Sequence, residues 1–233
     1  EELKALSIRN LLSNSVMVIA EEVRMLLDLG DSSILCRVQH SADGSYSNVS
    51  ICTQDIPGLF SMITGVMAAN GMNILGAQIH TSSNGKVLDV LQVNAPQGFI
   101  IDEPSRWERM EHDLDRVIRG EIQVQTLVEK RRSPSLLIEK VKPRFPTVIE
   151  IDNEVSDDYT VIDIYTHDKV GLLYCITSTL TRLGLYIGIA KISTKIDQVA
   201  DVFYVKDIFG HKLTSEKKLE EIRRHLLTAI EEA

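Results

Sequence analysis

The sequence has no excess of positive charge and few aromatic residues. Its 25 lysines and arginines are outnumbered by 33 aspartates and glutamates, which gives a formal net charge of −8 at pH 7. Nucleic-acid-binding proteins are usually basic, because phosphate neutralisation supplies most of their non-specific affinity. Aromatic residues make up only 5% of the chain, whereas RNA-binding sheets stack bases on aromatic side chains. We therefore expect no nucleic-acid partner.

Cysteines and long apolar runs are also scarce. The chain has three cysteines, Cys36, Cys52 and Cys175, which lie far apart in the sequence. Three thiols cannot all pair within one chain, so they predict reduced thiols in the cytoplasm rather than a secreted disulfide framework. No apolar run approaches the roughly 18 residues that a membrane span requires, and we expect no signal peptide. We expect no membrane partner.

Catalytic signatures are missing as well. The chain contains neither a Gly-x-x-x-x-Gly-Lys phosphate loop nor a Gly-x-Ser-x-Gly elbow. Two His-Asp pairs could suggest a metal site, which would need further ligands converging on one ion. However, His112-Asp113 falls on an amphipathic helix, and the equivalent of His167 in the repeat described next is Gln54. We expect no catalytic residue, metal or cofactor in this segment.

The sequence does contain an internal repeat. Asp55-Ile-Pro-Gly58-Leu59 stands 113 positions before Asp168-Lys-Val-Gly171-Leu172, and ten of the 27 positions from Asp55 to Thr81 are identical at that offset. A match at one fixed offset indicates one structural unit used twice. Two copies of roughly 75 residues predict two small domains rather than a solenoid.

The local pattern is the same in both copies. An alternating strand ends at the Asp-x-x-Gly-Leu motif, and a helix with apolar residues three and four apart follows. A glycine ends that helix, and two strands come next, of which the later one is Val87–Val93 or Val199–Val205. We interpret Asp89 and Asp201 in this strand as hairpin or interface groups.

A second helix follows in each copy, beginning near Pro104 in the first. After it, the alternation of Ile122, Val124, Thr126 and Val128 predicts a final strand in the first copy. The second copy stops after its helix. Residues 147–152, which are rich in β-branched side chains, are predicted to fill its vacant sheet position or another sheet edge.

Together these elements predict an α+β fold with two ferredoxin-like βαββαβ domains in tandem behind a helical N-terminal segment. The predicted boundaries are 1–33 for a helical tail or linker, 34–128 for the first domain, 129–146 for a linker and 147–233 for the second domain.

The segments outside the repeat are less informative. The N-terminal helix is predicted from an apolar stripe of Ile19, Val23, Leu26 and Leu27, and Ile34–His40 is predicted to be a further strand. The lysines and arginines between the two domains are interpreted as a solvated connector rather than a partner surface.

The repeated loop has the chemistry to hold a free amino acid. A glycine lets the backbone approach a ligand closely, and the helix behind it offers unpaired N–H groups to a carboxylate. The aspartate can accept hydrogen bonds from an ammonium group, and a charged bond of this kind contributes about 1.5–3 kcal/mol. The alternative is that Asp55 and Asp168 merely cap helices, which contributes about 1 kcal/mol and needs no ligand.

One position after the loop differs between the copies. Asn73 opens a strand in the first copy and could read a polar ligand side chain, or it could be only a turn residue. The second copy has Tyr186 there, so the two sites should not be equivalent. We expect the first copy, with Pro57 and Asn73, to have the better formed loop.

The repeated loop, with Gly71-Met-Asn-Ile74 and Gly184-Leu-Tyr-Ile187 after it, resembles the ACT domain family, whose members bind amino acids and pair their sheets. Asp201-Val-Phe-Tyr-Val-Lys-Asp-Ile-Phe-Gly210 and Ile151-Asp-Asn-Glu154 further resemble the C-terminal end of the PII uridylyltransferase/uridylyl-removing enzymes. The residues assigned to ligand binding are Asp55, Pro57, Gly58, Leu59, Asn73, Ile74, Asp168, Gly171, Leu172, Tyr186 and Ile187.

The resemblance implies that L-glutamine is the ligand and that nucleotidyltransferase and hydrolase domains lie N-terminal to this chain. It also implies the nitrogen-signalling PII protein as a partner and homo-oligomers that pair through the sheets. Val170 stands where the family loop usually has proline, which weakens the expected second site. The alternatives are the ACT tail of another metabolic enzyme, a free-standing ACT regulator, or an RNA-binding ferredoxin-like module.

Overall fold

The first copy of the repeat folds as a four-stranded antiparallel sheet with helices packed on it. The computed structural model describes residues 16–79, 85–131, 145–169, 171–195 and 198–232. In chain order, the elements up to the end of the first copy are α1 (Val16–Asp28), β1 (Ile34–His40), β2 (Ser47–Gln54), α2 (Leu59–Ala69), β3 (Asn73–Gln78), β4 (Lys86–Asn94), α3 (Pro104–Ile118) and α4 (Val124–Arg131).

The second copy repeats this arrangement. Its elements are β5 (Val148–Asp152), β6 (Thr160–His167), α5 (Leu172–Arg182), β7 (Tyr186–Lys191), β8 (Thr194–Lys195), β9 (Gln198–Lys206) and α6 (Glu216–Glu232). We call β1 to α4 the first module and β5 to α6 the second module. The predicted α+β fold, with two ferredoxin-like units in tandem, is confirmed.

In both modules the first strand of the module lies at one edge of the sheet. The sheet orders are β1-β2-β4-β3 and β5-β6-β9-β7, with β8 paired to β9. β1 runs antiparallel to β2, and β5 runs antiparallel to β6, so that Ile149 lies opposite Ile164. The strands predicted at Ile34–His40 and at 147–152 are therefore confirmed, and the latter fills the position that lacked a strand.

The strand predicted at Ile122–Val128 is wrong, because residues 124–131 form the helix α4. Val124, Leu127 and Val128 are three and four residues apart, a spacing that also suits one face of a helix, and a short apolar run does not distinguish the two periods. The sheet position beside β2 is already occupied by β1. The segment packs against α2 instead.

The N-terminal helix covers the face of the first sheet that points away from the other helices. Met25, Leu26 and Leu29 are buried there against Cys52 and Leu88, which lie opposite each other on β2 and β4. The helix is confirmed for residues 16–28, and residues 1–15 lie outside the described part of the chain. Leu27, predicted to belong to its apolar stripe, is 62% exposed, because it points about 100° away from Leu26.

The two modules pack side by side through equivalent elements. Helix α2 lies against α5, and the edge strand β3 lies next to β7. Thr64 and Thr177, which are equivalent in the repeat, are both buried, and their hydroxyl oxygens are 2.9 Å apart. The two modules are therefore related by an approximate twofold axis that passes between these side chains.

One charge of the predicted connector is not simply solvated. Arg131, at the end of α4, donates hydrogen bonds to the Ala69 carbonyl and to the Asn70 side-chain oxygen, at 3.0 and 3.1 Å. It also lies 3.6 Å from the Asp113 carboxylate. Arg131 thus attaches α4 to the end of α2, while the connector residues 132–144 lie outside the described part of the chain.

The close contact between α2 and its neighbours predicts that Gly65→Ala destabilises the protein. A Cβ at Gly65 would lie 2.8 Å from the Tyr174 ring of the second module and would overlap Val124 of α4. Replacing a helical glycine with alanine ordinarily stabilises a helix by up to about 1 kcal/mol. Overpacking costs about 1–3 kcal/mol, so urea unfolding should show a net loss. Thr228→Ala, at an exposed position of α6, is the control, and a Gly65→Ala protein as stable as this control would contradict the prediction.

Candidate functional site

Neither loop aspartate caps the helix that follows it. The residue that precedes α2 is Gly58, with φ 78°, and the residue that precedes α5 is Gly171, with φ 84°. Neither helix start receives a side-chain hydrogen bond. A positive φ of this size strains any residue that has a Cβ, which explains the glycine in both copies. The alternative that Asp55 and Asp168 act only as helix caps is wrong.

The first loop is packed against the other module, and the second is open. A Cβ added at Gly58 would lie 2.9 Å from the Thr181 methyl group on α5. At Gly171, no atom of the described residues lies within 4 Å of the same position. The close neighbour of Gly58 is thus the second module, and the close approach to a ligand expected at the loop glycines stays a prediction.

Both helix starts keep donors available for an anion. In the part of the chain that the structure describes, the backbone N–H groups of Phe60 and Ser61 have no acceptor, and neither does that of Leu173. The positive end of the helix dipole lies at the same place. The N–H donors that the sequence predicted for a carboxylate are therefore present at both helix starts, and carboxylate binding itself stays a prediction.

Each loop opens into a small cavity that both modules line. The first cavity has a volume of about 30 Å³ and is lined by Asp55, Ile56, Gly58, Leu59, Phe60, Ser61, Ile79, Val87 and Asp89 of the first module and by Thr181, Leu185, Tyr186 and Ile187 of the second. The second cavity, also about 30 Å³, is lined by Asp168, Lys169, Gly171, Leu172, Leu173, Tyr174, Ile192, Val199 and Asp201 of the second module and by Thr64, Ala68, Met72, Asn73 and Ile74 of the first. Each has room for about two water molecules.

The cavities join residues that the sequence placed apart. Asn73 is expected from the sequence to complete the first loop. It lines the second cavity instead, together with Asp168. Tyr186 lies on the first cavity with Asp55. The exchange follows from the twofold arrangement, because each edge strand begins beside the other module's loop. The expectation that the first loop is the better formed one thereby loses the support of Asn73.

Ten of the eleven predicted ligand-binding residues line one of the two cavities. Asp55, Gly58, Leu59, Tyr186 and Ile187 line the first, and Asp168, Gly171, Leu172, Asn73 and Ile74 line the second. Pro57 is exposed and lines neither. Val170 lies outside the described residues.

Tyr186 is hydrogen-bonded to the aspartate of the first loop. Its hydroxyl donates a hydrogen bond to Asp55 Oδ2 at 3.1 Å. Burial raises the pKa of Asp55 above its ordinary value, and the hydrogen bond from Tyr186 opposes that rise. The tyrosine thus holds the acceptor that an ammonium group would need.

The second cavity contains two aspartates. Burial raises the pKa of Asp168, and the Lys169 backbone N–H opposes the rise. Burial raises the pKa of Asp201 to about 7, the Ser193 backbone N–H lowers it, and the negative charge of Asp168 raises it further. At neutral pH this cavity therefore holds one carboxylate that is protonated for part of the time.

Sequence reasoning missed the role of Asp89 and Asp201 as cavity-lining residues. Asp89 is 1% exposed on β4 and Asp201 is 2% exposed on β9. Val87 and Leu91 flank Asp89 at the two positions that share its side of the strand, and both are buried. That parity could have placed Asp89 inward, since side chains two apart point to the same face.

A third and larger cavity, of about 410 Å³, lies between α1 and the outer face of the first sheet. Its floor consists of outward-facing side chains on adjacent strands, including Arg37, Asn48, Ser50 and Gln92, and Glu21 of α1 forms part of its roof. Its size falls in the range of small-molecule sites. Because the repeated loops do not contribute to it, it provides an independent comparison for ligand tests.

Two negative findings apply to the described residues alone. No helix among them is both long and apolar enough to cross a bilayer. In the same residues, histidine, cysteine, aspartate and glutamate side chains do not gather in groups of three or more that could hold a metal ion.

The fold and the loops agree with a family match. The family described as "ACR family N-terminal ACT domain" matches residues 155–232, which cover most of the second module. The second module therefore matches an ACT domain, and the first module repeats the same elements and the same loop.

Two bacterial enzymes of known description are similar to most of this chain. The bifunctional uridylyltransferase/uridylyl-removing enzyme of Rhodospirillum rubrum is 37% identical over 89% of this chain, and that of Azospirillum brasilense is 40% identical over 79%. The chain spans only 22% and 20% of these two relatives. It is thus similar to about a fifth of each of these enzymes. A solved aspartate kinase from Synechocystis matches 80% of this chain and 27% of its own length at 14% identity and a TM-score of 0.42.

The buried Asp201 predicts that the protein loses stability as the pH rises from 4 to 7. Its pKa is raised from 3.8 to about 7 in the folded state, so the folded protein binds an additional proton between these values. This contribution is complete below pH 4 and disappears as the pH passes 7, at a cost of about 4 kcal/mol at most. Asp201→Asn should remove most of this pH dependence in urea unfolding at pH 4.5 and 8. Asp158→Asn, at an exposed position before β6, should leave the pH dependence in place, and equal slopes for both variants would refute the prediction.

Proposed function

We propose that this tandem ACT pair binds a free amino acid, L-glutamine, in the cavities between its modules and thereby regulates catalytic domains attached to it. The main support is that each Asp-x-x-Gly-Leu loop is completed by the edge strand of the other module. A ligand at such a site contacts both modules at once.

The second cavity offers a partner for each polar group of glutamine. The unpaired N–H of Leu173 at the start of α5 suits the α-carboxylate. The carboxylate of Asp168 suits the α-ammonium group. The side-chain amide of Asn73 can both donate to and accept from the carboxamide of glutamine.

The first cavity is the weaker of the two. Tyr186 already donates to Asp55, and the first loop packs closely on Thr181. A ligand there must displace both contacts. We therefore assign the primary site to the second cavity and regard the first as closed by Tyr186 in the ligand-free state.

Binding must change the arrangement of the modules. A cavity of about 30 Å³ is too small for an amino acid, so the ligand has to move the first module's Asn73 away from the second module's loop. The free energy of binding is thereby coupled to the distance between the modules, which is what an allosteric regulator requires.

The wider setting is proposed from the relatives. In this proposal the chain covers the ACT region of a uridylyltransferase/uridylyl-removing enzyme that acts on the PII protein in the cytoplasm, with catalytic domains N-terminal to it. The three cysteines are free thiols, as expected for that compartment. The proposed ACT domains are residues 34–128 and 147–233, and copies of the protein associate through their sheets.

Calorimetry with L-glutamine tests the proposed site. Asn73→Ala removes the contact to the carboxamide and should weaken binding about tenfold, since one neutral hydrogen bond contributes about 1 kcal/mol or slightly more. Ser50→Trp fills the third cavity and should leave the affinity unchanged. If Ser50→Trp weakened binding and Asn73→Ala did not, the glutamine site would lie in the third cavity instead. If glutamine produced no heat and another amino acid did, the result would favour the alternative that the chain is the ACT region of a different metabolic enzyme.

Tyr186→Phe should open the first cavity. It removes the hydroxyl that occupies Asp55, so the number of glutamine molecules bound per chain should rise from one to two in the same titration. Removing this hydrogen bond should also raise the pKa of Asp55 further, which carboxyl carbon chemical shifts can follow by NMR. Tyr165→Phe, at an exposed position of β6, is the control and should change neither quantity.

A further inference from the structure

Each loop cavity contains a second carboxylate that the repeated loop does not supply. Asp89 of β4 lines the first cavity with Asp55, and Asp201 of β9 lines the second with Asp168. The two strand aspartates occupy matching positions in their modules and are 1% and 2% exposed. The same pairing of a loop acid with a strand acid therefore occurs at both sites.

The surroundings of Asp201 do not compensate a buried negative charge. The Ser193 backbone N–H, at 3.2 Å, is the one hydrogen-bond donor to its carboxylate among the residues that the structure describes. A carboxylate removed from water is costly unless it is paired or well hydrogen-bonded. Asp201 lines the cavity, so a cation placed there would supply what the protein does not.

The other titratable groups around this cavity do not supply that cation. The loop before α5 contributes Asp168 and Lys169, and α5 contributes Tyr174. Lys169 directs its ammonium group to the Ile230 carbonyl on α6. The residues from α2 and β3 that line the cavity are uncharged. Two acids thus face a space whose opposite wall is neutral.

We propose that Asp201 and Asp168 together form the ammonium-binding end of the second cavity, and that Asp89 and Asp55 form that of the first. This inference rests on the proposed amino-acid-binding function and assigns the position of the ligand's α-ammonium group. The loop acid, the strand acid and the helix start then hold the two charged ends of the amino acid in a fixed direction.

The arrangement makes ligand binding depend on pH. When the ammonium group binds, Asp201 gives its proton to the solvent and pairs with the ligand as a carboxylate. Because burial places its pKa near 7 in the free protein, about 0.9 protons should leave per molecule bound at pH 6 and about 0.1 at pH 8. The apparent dissociation constant should accordingly fall about tenfold between pH 6 and pH 8.

Calorimetry of L-glutamine binding in two buffers of different ionisation enthalpy measures this proton release directly in the unmodified protein. Asp201→Asn keeps an oxygen that can accept from Ser193, and should bind at least tenfold more weakly at pH 8 and release no proton at pH 6. Asp163→Asn removes an acid from the opposite face of the same sheet and should behave like the unmodified protein.

The outcomes separate this inference from the proposed function. Tight glutamine binding with no proton release at pH 6, and no loss in Asp201→Asn, would overturn the ammonium site and leave the amino-acid site standing. If no amino acid produced heat, the proposed function would fail. Methylammonium chloride would then test the acid pair alone, and an unchanged Asp201 carboxyl carbon shift would overturn the inference as well.

Discussion

The contact between α2 and α5 determines what this protein can do. Thr64 and Thr177 meet there, hydroxyl to hydroxyl, in a region buried by both modules. The contact brings the start of each edge strand to the loop of the other module. Neither loop cavity has a complete wall within one module, so both depend on this packing. A change at the helix contact is therefore felt at two sites at once.

The asymmetry of the two sites arises from a few side chains on a nearly symmetric frame. Tyr186 fills the acceptor of the first loop, while the smaller Asn73 occupies the equivalent place at the second. Gly58 lies against Thr181, whereas no atom of the described residues lies within 4 Å of a Cβ added at Gly171. The backbone treats both loops alike, with left-handed glycines at both helix starts. Duplication thus preserved the backbone geometry, and side-chain differences give the two cavities different linings.

The charges that line the second cavity support the proposal of a zwitterionic ligand over a simple anion or cation. At the second cavity, the helix start presents an unpaired N–H group, and the loop and β9 present two acids, one of them almost completely buried. Opposite charges at the two ends of a small space suit a molecule that carries both charges itself. The same low exposure that makes Asp201 costly in the free protein would strengthen its interaction with a bound ammonium group.

Sequence alone determined the repeat, the fold class, the strands at Ile34–His40 and 147–152, and the glycines at the helix starts, because these follow from local periodicity and backbone conformation. It did not determine that Val124–Arg131 is a helix, since a short apolar run fits both periods and β1 had already taken the sheet edge. Nor could it reveal that Asn73 and Tyr186 each lie at the loop of the other module. Those facts depend on how α2 meets α5, and contacts between residues more than a hundred positions apart leave no local pattern.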